Sequence, residues 1–347
     1  MRLEARMQRS DLARKATTAV FAATILISIP LVLGFFADRH PAFDSVGHFR
    51  AHLAVLLAAG GLLLLASRHW KHGLLAIALG AAALWTTLSS FSVPGKASAT
   101  AGTEAGNRAV YRLMQLNLRF DNPTPEKVLS LIGRVKPDVI TLDEVSAAWQ
   151  SRLQQISAMY PFAAVCPSSR PFGGTAILSR RPIALGGAGT CLSDGSLAML
   201  PVDLGGHRLD VSALHLTWPW PFKQAAQIEA LAGPLAVTGQ TALLAGDLNA
   251  ATWSAAVRRV EAASGLTHIV GIGPSWLDRR LPDALWPYAG LPIDQVFAKG
   301  DIAIRSAKTL ESVGSDHLPV LVEFSLLGGA KPEDNAVTAT AMVQFPD

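Results

Sequence analysis

Twenty consecutive residues, Thr17 to Phe36, carry no charged side chain. A stretch of that length and character matches the ~30 Å hydrocarbon core of a bilayer crossed as a helix. Pro30 lies inside it, which membrane helices tolerate. Two further apolar stretches follow, Leu53 to Ser67 and Gly73 to Phe91. The first of these reaches span length only if Ala51 and His52 join it. Both are rich in Ala, Gly and Leu, with small clusters such as Ala58-Ala59-Gly60-Gly61, and small residues let membrane helices approach closely. A signal peptide is the bland alternative for the first stretch. Its apolar run is long for that, and no small-x-small cleavage site follows Phe36. The expectation is three retained spans, about 17–36, 51–67 and 73–91.

These segments explain the composition. Half of the 347 residues are hydrophobic, and the mean hydropathy of +0.31 exceeds that of an ordinary soluble protein. Residues 1–110 hold 11 Lys and Arg against 5 Asp and Glu, and residues 111–347 hold 19 against 21. The C-terminal part is therefore slightly acidic, which argues against a domain that coats nucleic acid non-specifically. Arg2, Arg6, Arg9, Arg14 and Lys15 precede the first span, and Arg68 and Lys71 lie between the second and third. Arg39 and Arg50 in the first loop are offset by Asp38 and Asp44. By the positive-inside bias the N-terminus is inside and everything after Phe91 is outside. The expected location is multi-pass in a bacterial inner membrane, with the C-terminal domain periplasmic or otherwise extracytoplasmic.

The expected organisation is a membrane anchor over 1–92, a linker over 93–109, a catalytic domain over 110–326 and a loose tail over 327–347. The linker is small, polar and unpatterned. Cys166 and Cys191 have no metal-ligand spacing. A disulfide in an oxidising compartment and two buried thiols both remain open for them.

From Val110 onward, short apolar runs alternate with helical patterns. Candidate strands are Tyr111–Leu116, Val139–Leu142, Phe162–Cys166, Thr175–Leu178, Leu209–Leu214, Ala242–Ala245, Ile293–Phe297 and Leu318–Phe324. Candidate helices are Pro125–Val135, Ala147–Met159, Gln224–Val237 and Ser254–Ser264. Two packed sheets with outer helices fit this pattern, and periodicity alone does not separate them from an open doubly wound sheet.

Polar residues gather at the ends of the apolar runs. Asn117 follows Leu116, Glu144 follows Leu142, and His215 follows Leu214. Asp247 and Asn249 follow Leu244, Asp294 opens one run, and Asp316-His317 precedes the last. Strand ends at one sheet edge converge in space, so one site can draw on distant segments. A lone Asp-x-Asn is usually a turn or a helix cap; here it stands among other such segments in order.

Seven motifs carry a resemblance. They are Gln-Leu-Asn-Leu-Arg ending at Arg119, Leu-Asp-Glu-Val around Glu144, Gly-Thr-Ala-Ile-Leu-Ser from Gly174 and Leu-His-Leu around His215. Gly-Asp-Leu-Asn-Ala follows from Gly246, then Ile-Asp-Gln-Val-Phe from Ile293 and Gly-Ser-Asp-His-Leu-Pro-Val from Gly314. In this order they resemble the endonuclease/exonuclease/phosphatase superfamily, which includes deoxyribonuclease I, exonuclease III, sphingomyelinases and inositol-polyphosphate 5-phosphatases. The stretch Gly-Asp-Leu-Asn-Ala-Ala-Thr-Trp-Ser and the later Gly-Pro-Ser-Trp resemble its membrane-attached bacterial branch.

The resemblance implies a four-layer α/β sandwich. It implies Glu144 as principal metal ligand with Asn117 and Asp316, for Mg²⁺ or Mn²⁺. Asp247 would prepare the attacking water, and Asn249 would hold a phosphate oxygen. His317 would face the scissile phosphate with Asp294 fixing its tautomer, and His215 would donate to a phosphate oxygen or assist the leaving group. Asp143 stands where the family often has Gln, and Gln295 where it often has His or Arg. Arg119 stands where abasic-site endonucleases usually carry Asp, which argues against a repair nuclease.

The expected activity is metal-dependent, nuclease-like hydrolysis of a phosphodiester, in nucleic acid or in a phospholipid head group. The lipid bilayer is the expected partner of the N-terminal helices, and no protein partner is implied. A silent membrane-anchored binding module would show damaged site residues, and none is visible. A transport role would call for intramembrane charges, and none marks a pathway. Trp218, Trp220 and Phe222 form an aromatic loop after His215, read either as a lipid contact or as a packed Pro-rich loop. Arg170, Arg180 and Arg181 are candidates for guiding an anionic substrate, the last two in a solvated turn. His207 and His268 match no motif and read as structural.

Overall fold

The computed structural model describes residues 2–91 and 108–328. Residues 92–107 and 329–347, which include most of the expected linker (93–109) and tail (327–347), lie outside the described residues. The chain divides into two compact units, one of N-terminal helices and one of C-terminal sheets.

In the helical unit, α1 (Arg2–Leu33) runs into a 3-10 turn over Gly34–Phe36. It is followed by α2 (Pro41–Gly47), α3 (Arg50–Leu64) and α4 (Trp70–Phe91). Two segments, Ser10–Phe36 and Trp70–Leu88, are long and apolar enough to cross a membrane. The expected middle span, 51–67, falls on α3. α3 has only 15 residues and passes as a span only together with α2, from which it is bent by 64°. At the bend, Arg50 is buried and donates to the Gly34 carbonyl at 3.1 Å, with its guanidinium 4.3 Å from the Phe35 ring centre. The small residues read from the sequence set the helix approach. A Cβ on Gly61 would lie 2.7 Å from the Gly73 carbonyl oxygen of α4.

The C-terminal unit contains β1 (Tyr111–Asn117), α5 (Pro125–Val135), β2 (Val139–Val145), α6 (Ala147–Leu153), β3 (Phe162–Cys166) and β4 (Gly174–Ser179). It continues with β5 (Thr190–Leu192), β6 (Leu197–Asp203), β7 (Arg208–Leu214), α7 (Gln224–Ala236) and β8 (Ala242–Asp247). The last elements are α8 (Ala255–Ser264), β9 (Thr267–His268), α9 (Trp286–Ala289), β10 (Asp294–Lys299), β11 (Ile302–Thr309) and β12 (Val320–Leu326). Two six-stranded mixed sheets form, in the orders β11-β12-β1-β2-β4-β3 and β5-β6-β7-β8-β10-β9. Each has one parallel pair, β1 with β2 and β7 with β8, and the connections carry α5 and α7.

Successive strand side chains point to opposite faces, and here both faces are covered. Leu113, Val139, Leu243 and Val296 pack between the sheets, together with Val211 and Phe324. Their neighbours Met114 and Ile140 pack outward with Val128, Leu131 and Trp149 of α5 and α6. Leu244 and Phe297 pack outward with Ile228, Leu231 and Val257 of α7 and α8. Burial on both faces is why these strands read as continuous apolar runs. The expected four-layer sandwich is the observed one.

The interior face changes character along the strands. On β1 it passes from Leu113 through Gln115 to Asn117, on β2 from Val139 through Thr141 to Asp143, and on β8 from Leu243 through Ala245 to Asp247. All nine residues are buried. The space between the sheets is thus apolar through most of its depth and polar at one end.

Four strands fall outside the expected set: β5, β6, β9 and β11. Pro201 interrupts the pattern of β6, β11 carries a bulge between Ile304 and Ser306, and β5 and β9 have three and two residues. The expected helix Ala147–Met159 ends at Leu153 and continues as a 3-10 turn over Gln154–Ile156.

Cys166 and Cys191 are disulfide-bonded. Cys166 ends β3 and Cys191 lies in β5, the edge strands of the two sheets, so the bond joins the sheets across one side of the sandwich. Replacing both cysteines with Ser is expected to lower the unfolding free energy by about 3 kcal/mol, from the loop that the bond closes. Denaturant titration of oxidised and reduced wild type beside the double variant checks this; coincident curves would contradict it.

Candidate active site

The polar end of the sandwich gathers every site residue read from the sequence. Parallel register sets Asn117 opposite Asp143, and antiparallel register sets Asp247 opposite Asp294. His215 directly follows β7, one step beyond Leu214. The loop ahead of β12 brings in Asp316 and His317, with the Ser315 hydroxyl donating to the Asn117 carbonyl at 2.8 Å.

Asp247 Oδ2 is the meeting point. Asn117 Nδ2 donates to it at 3.0 Å and Asn249 Nδ2 at 3.2 Å. His317 Nε2 lies 3.6 Å away and His215 Nε2 3.8 Å. The other carboxylate oxygen accepts the Asn249 amide N–H at 2.7 Å. Asn249 has φ +47°, a left-handed conformation that Asn tolerates better than most residues. Its side-chain amide also donates to the Leu216 carbonyl at 2.9 Å.

Gly246 is required by this arrangement. A Cβ there would lie 2.1 Å from the Leu214 carbonyl oxygen, so only glycine lets β8 pass β7 this closely.

Glu144 sits at φ +58°, where the pairing of β2 with β4 shifts register between Leu142 and Val145. A bulge re-aims a side chain in this way. Its carboxylate accepts Asn117 Nδ2 at 3.2 Å and the Phe120 amide at 2.9 Å. Burial raises its affinity for a proton, and the Asp316 charge adds to that. Asp316 itself is half-buried.

His317 Nδ1 is 2.8 Å from Asp294 Oδ2, which fixes the ring and leaves Nε2 facing Asp247. Burial opposes charge on this imidazole, but Asp294 and Asp247 outweigh it and hold its pKa well above the ordinary value. His215 has the opposite balance. Burial, then the positive charges of His317 and Arg170, push it down to about 3, so it is neutral. Burial and the charge of Asp294 push Asp247 up to about 7, against the pull of His317.

Asp247, Asp294 and His317 offer ligand atoms within 4.8 Å of one another. Two of these three are already joined as an Asp–His pair. Around them stand Asn117, Glu144 and Asp316, so the donor set is dominated by carboxylate and amide oxygens. That set fits a hard divalent ion such as Mg²⁺ or Mn²⁺.

Several contributing residues were missed in the sequence. Gln115 Nε2 bridges Asp143 Oδ2 at 3.1 Å and Asp294 Oδ1 at 3.0 Å. The signal was present, because Gln115 shares a strand face with Asn117 two residues on. Ser275, whose hydroxyl accepts the Asp294 amide at 3.1 Å, carried no such signal. Asp143 supports the site through a 2.7 Å bond from the Asp247 amide N–H. Gln295 turns away, to His268 at 2.7 Å and to the Ala250 and Pro292 carbonyls. Gln295 and His268 are thus structural partners of each other.

Gln115→Leu preserves side-chain bulk but strips a donor from two buried carboxylates. An unpaired buried charge is costly, so a loss of about 2–3 kcal/mol in unfolding free energy is expected. Unfolding within about 0.5 kcal/mol of wild type, inside the range of neutral surface changes, would contradict the bridging role.

The sequence profile of the endonuclease/exonuclease/phosphatase family matches residues 114–317. A search of curated proteins finds no match. Among solved structures, an endonuclease/exonuclease/phosphatase from Beutenbergia cavernae is 20% identical, with TM-score 0.50, covering 63% of this chain and 72% of its own. The D. rerio TDP2 complexed with a single-strand DNA product is 17% identical, with TM-score 0.52, covering 62% of this chain and 99% of its own. At these identities the likeness concerns the fold. The profile match spans more than half of the chain and reaches from β1 to His317, and on that ground this chain belongs to the endonuclease/exonuclease/phosphatase family.

Proposed function

We propose that this chain is a membrane-anchored, divalent-metal-dependent phosphodiesterase. The observation that carries the reading is the convergence of Asn117, His215, Asn249 and His317 on one oxygen of Asp247. A phosphodiester is anionic, and attack by water adds charge to its oxygens. Donors and positive charge arranged at that point favour the transition state over the ground state.

Glu144, with Asn117 and Asp316, would hold the ion, which when bound supplies positive charge against the phosphate oxygens. Asp247 orients the attacking water and accepts its proton. Asn249 donates to a phosphate oxygen. His317, held through Nδ1 by Asp294, presents Nε2–H to the phosphate. His215 donates a hydrogen bond on the leaving-group side.

Residues 1–92 act as the anchor, 93–109 as the linker and 110–326 as the catalytic domain. The Lys and Arg bias of the N-terminal segment places the catalytic unit on the extracytoplasmic side of a bacterial inner membrane. Pairing of Cys166 with Cys191 supports an oxidising compartment. In a bacterial host, alkaline phosphatase fused after residue 326 is expected to be active; activity only of a cytoplasmic reporter there would reverse the orientation.

The full chain in lipid nanodiscs is expected to hydrolyse bis(p-nitrophenyl) phosphate with Mg²⁺ or Mn²⁺ and to stop with EDTA. His317→Ala is expected to reduce kcat by about 10²–10³-fold, the range of a lost transition-state hydrogen-bond donor. Glu144→Gln is expected to raise the half-saturating Mg²⁺ concentration at least about tenfold. Hydrolysis that survives both EDTA and His317→Ala would overturn the reading. Nicking of supercoiled plasmid, measured beside it, tests the nuclease-like form of the activity.

A further inference from the structure

A cavity of about 450 Å³ opens directly beside the catalytic carboxylates. Glu144, His215 and Asn249 form the side facing the reaction. The remaining wall is Arg170 and Phe172 from the β3–β4 connection, and Leu216, Thr217, Trp218 and Phe222 from the chain after β7. Three of these six are aromatic. Phe172 is wedged between two polar groups: its ring meets the His215 ring edge-on at 5.8 Å, and the Arg170 guanidinium lies 5.9 Å from its centre.

The wall offers little for a polar group to bind. The Thr217 hydroxyl and amide both donate to Gln227 Oε1, at 3.2 and 2.9 Å. Arg170 is the one cationic side chain in the lining. A second cleft, of about 320 Å³, touches Asp316 and contains Arg119, Lys127 and Arg279. Its arginines are engaged by Asp121, at 2.7 Å for Arg119 and 3.7 Å for Arg279. Neither cleft offers a run of uncommitted cations such as a nucleic-acid backbone calls for.

We infer that the Phe172–Trp218–Phe222 cavity is the specificity site for the organic group of the ester, and that this group is apolar rather than a sugar or a polyol. The inference rests on the phosphodiesterase reading and deepens it. The scissile phosphate sits against Glu144, His215 and Asn249, and its apolar substituent enters the aromatic cavity. Arg170 offsets the phosphate charge at the cavity mouth. Burial of each added methylene against the aromatic wall strengthens binding without touching the reacting atoms.

The test measures binding, so it does not depend on turnover. Methylphosphonate, butylphosphonate and 2,3-dihydroxypropylphosphonate are titrated calorimetrically with Mg²⁺ into the full chain in nanodiscs, with empty nanodiscs as blank. Butylphosphonate is expected to bind at least about tenfold more tightly than methylphosphonate, and the dihydroxypropyl compound no more tightly than methyl. Phe172→Ala and Trp218→Ala are each expected to remove most of the butyl gain while leaving the methylphosphonate Kd within about twofold. Phe222→Ser, at an exposed position, gives the same comparison should either of those variants fold poorly.

Equal binding of methyl and butyl compounds, a dihydroxypropyl compound as tight as butyl, or no binding of butylphosphonate overturns the cavity assignment whatever the hydrolysis assay shows. A retained butyl preference in a chain that hydrolyses no diester overturns the catalytic reading and leaves the cavity assignment standing.

Discussion

Three carboxylates, Asp143, Asp247 and Asp294, are buried to within 1% of complete exclusion at one end of the sheet sandwich. Negative charge without compensation is costly in such a place. Much of the surrounding structure is its compensation. Gln115 bridges two of the three, the Asp247 amide serves Asp143, and His317 is fixed by Asp294 while facing Asp247. Burial and the charge of Asp247 raise the proton affinity of Asp143 well above the ordinary carboxylate range.

The sandwich makes this crowding possible. Each sheet is covered on its outer face by helices and filled between the sheets by alternate side chains of the same strands. Because side chains repeat every second residue, changing Leu to Gln and then Asn along one face of β1 converts the core into a site without altering the strand. The same substitution of polar for apolar residues occurs on β2 and β8 at matching depth. A rigid scaffold thus holds several segments, far apart in sequence, around one oxygen atom.

The N-terminal helices supply segments long and apolar enough to cross a membrane. The chain after β7 and the β3–β4 connection bring aromatic side chains beside Glu144, His215 and Asn249. In the proposed reading, the anchor sets where the enzyme works and the aromatic cavity sets which ester it accepts.

Much of this was legible in the order of residues. Eight strands follow from apolar runs, because a strand carries its pattern locally; the four-layer class follows from the family resemblance, and the polar residues that end the runs gather at the candidate site. Strands that depend on neighbours were not legible. β6 contains Pro201, which breaks the pattern, and β11 is an irregular edge strand. The middle helix illustrates the same limit: apolar composition reads as a span, but the 64° bend ahead of α3 is not written in it. Whether Cys166 meets Cys191 is decided by which strands lie at the sheet edges. The sequence by itself determined which polar residues end the apolar runs and which segments are apolar enough to read as membrane spans. Only the tertiary structure decided that Gln115 links the buried carboxylates and that Phe172 and Trp218 close on one cavity, because those contacts join strand ends and loops whose spacing in the chain says nothing of their distance in space.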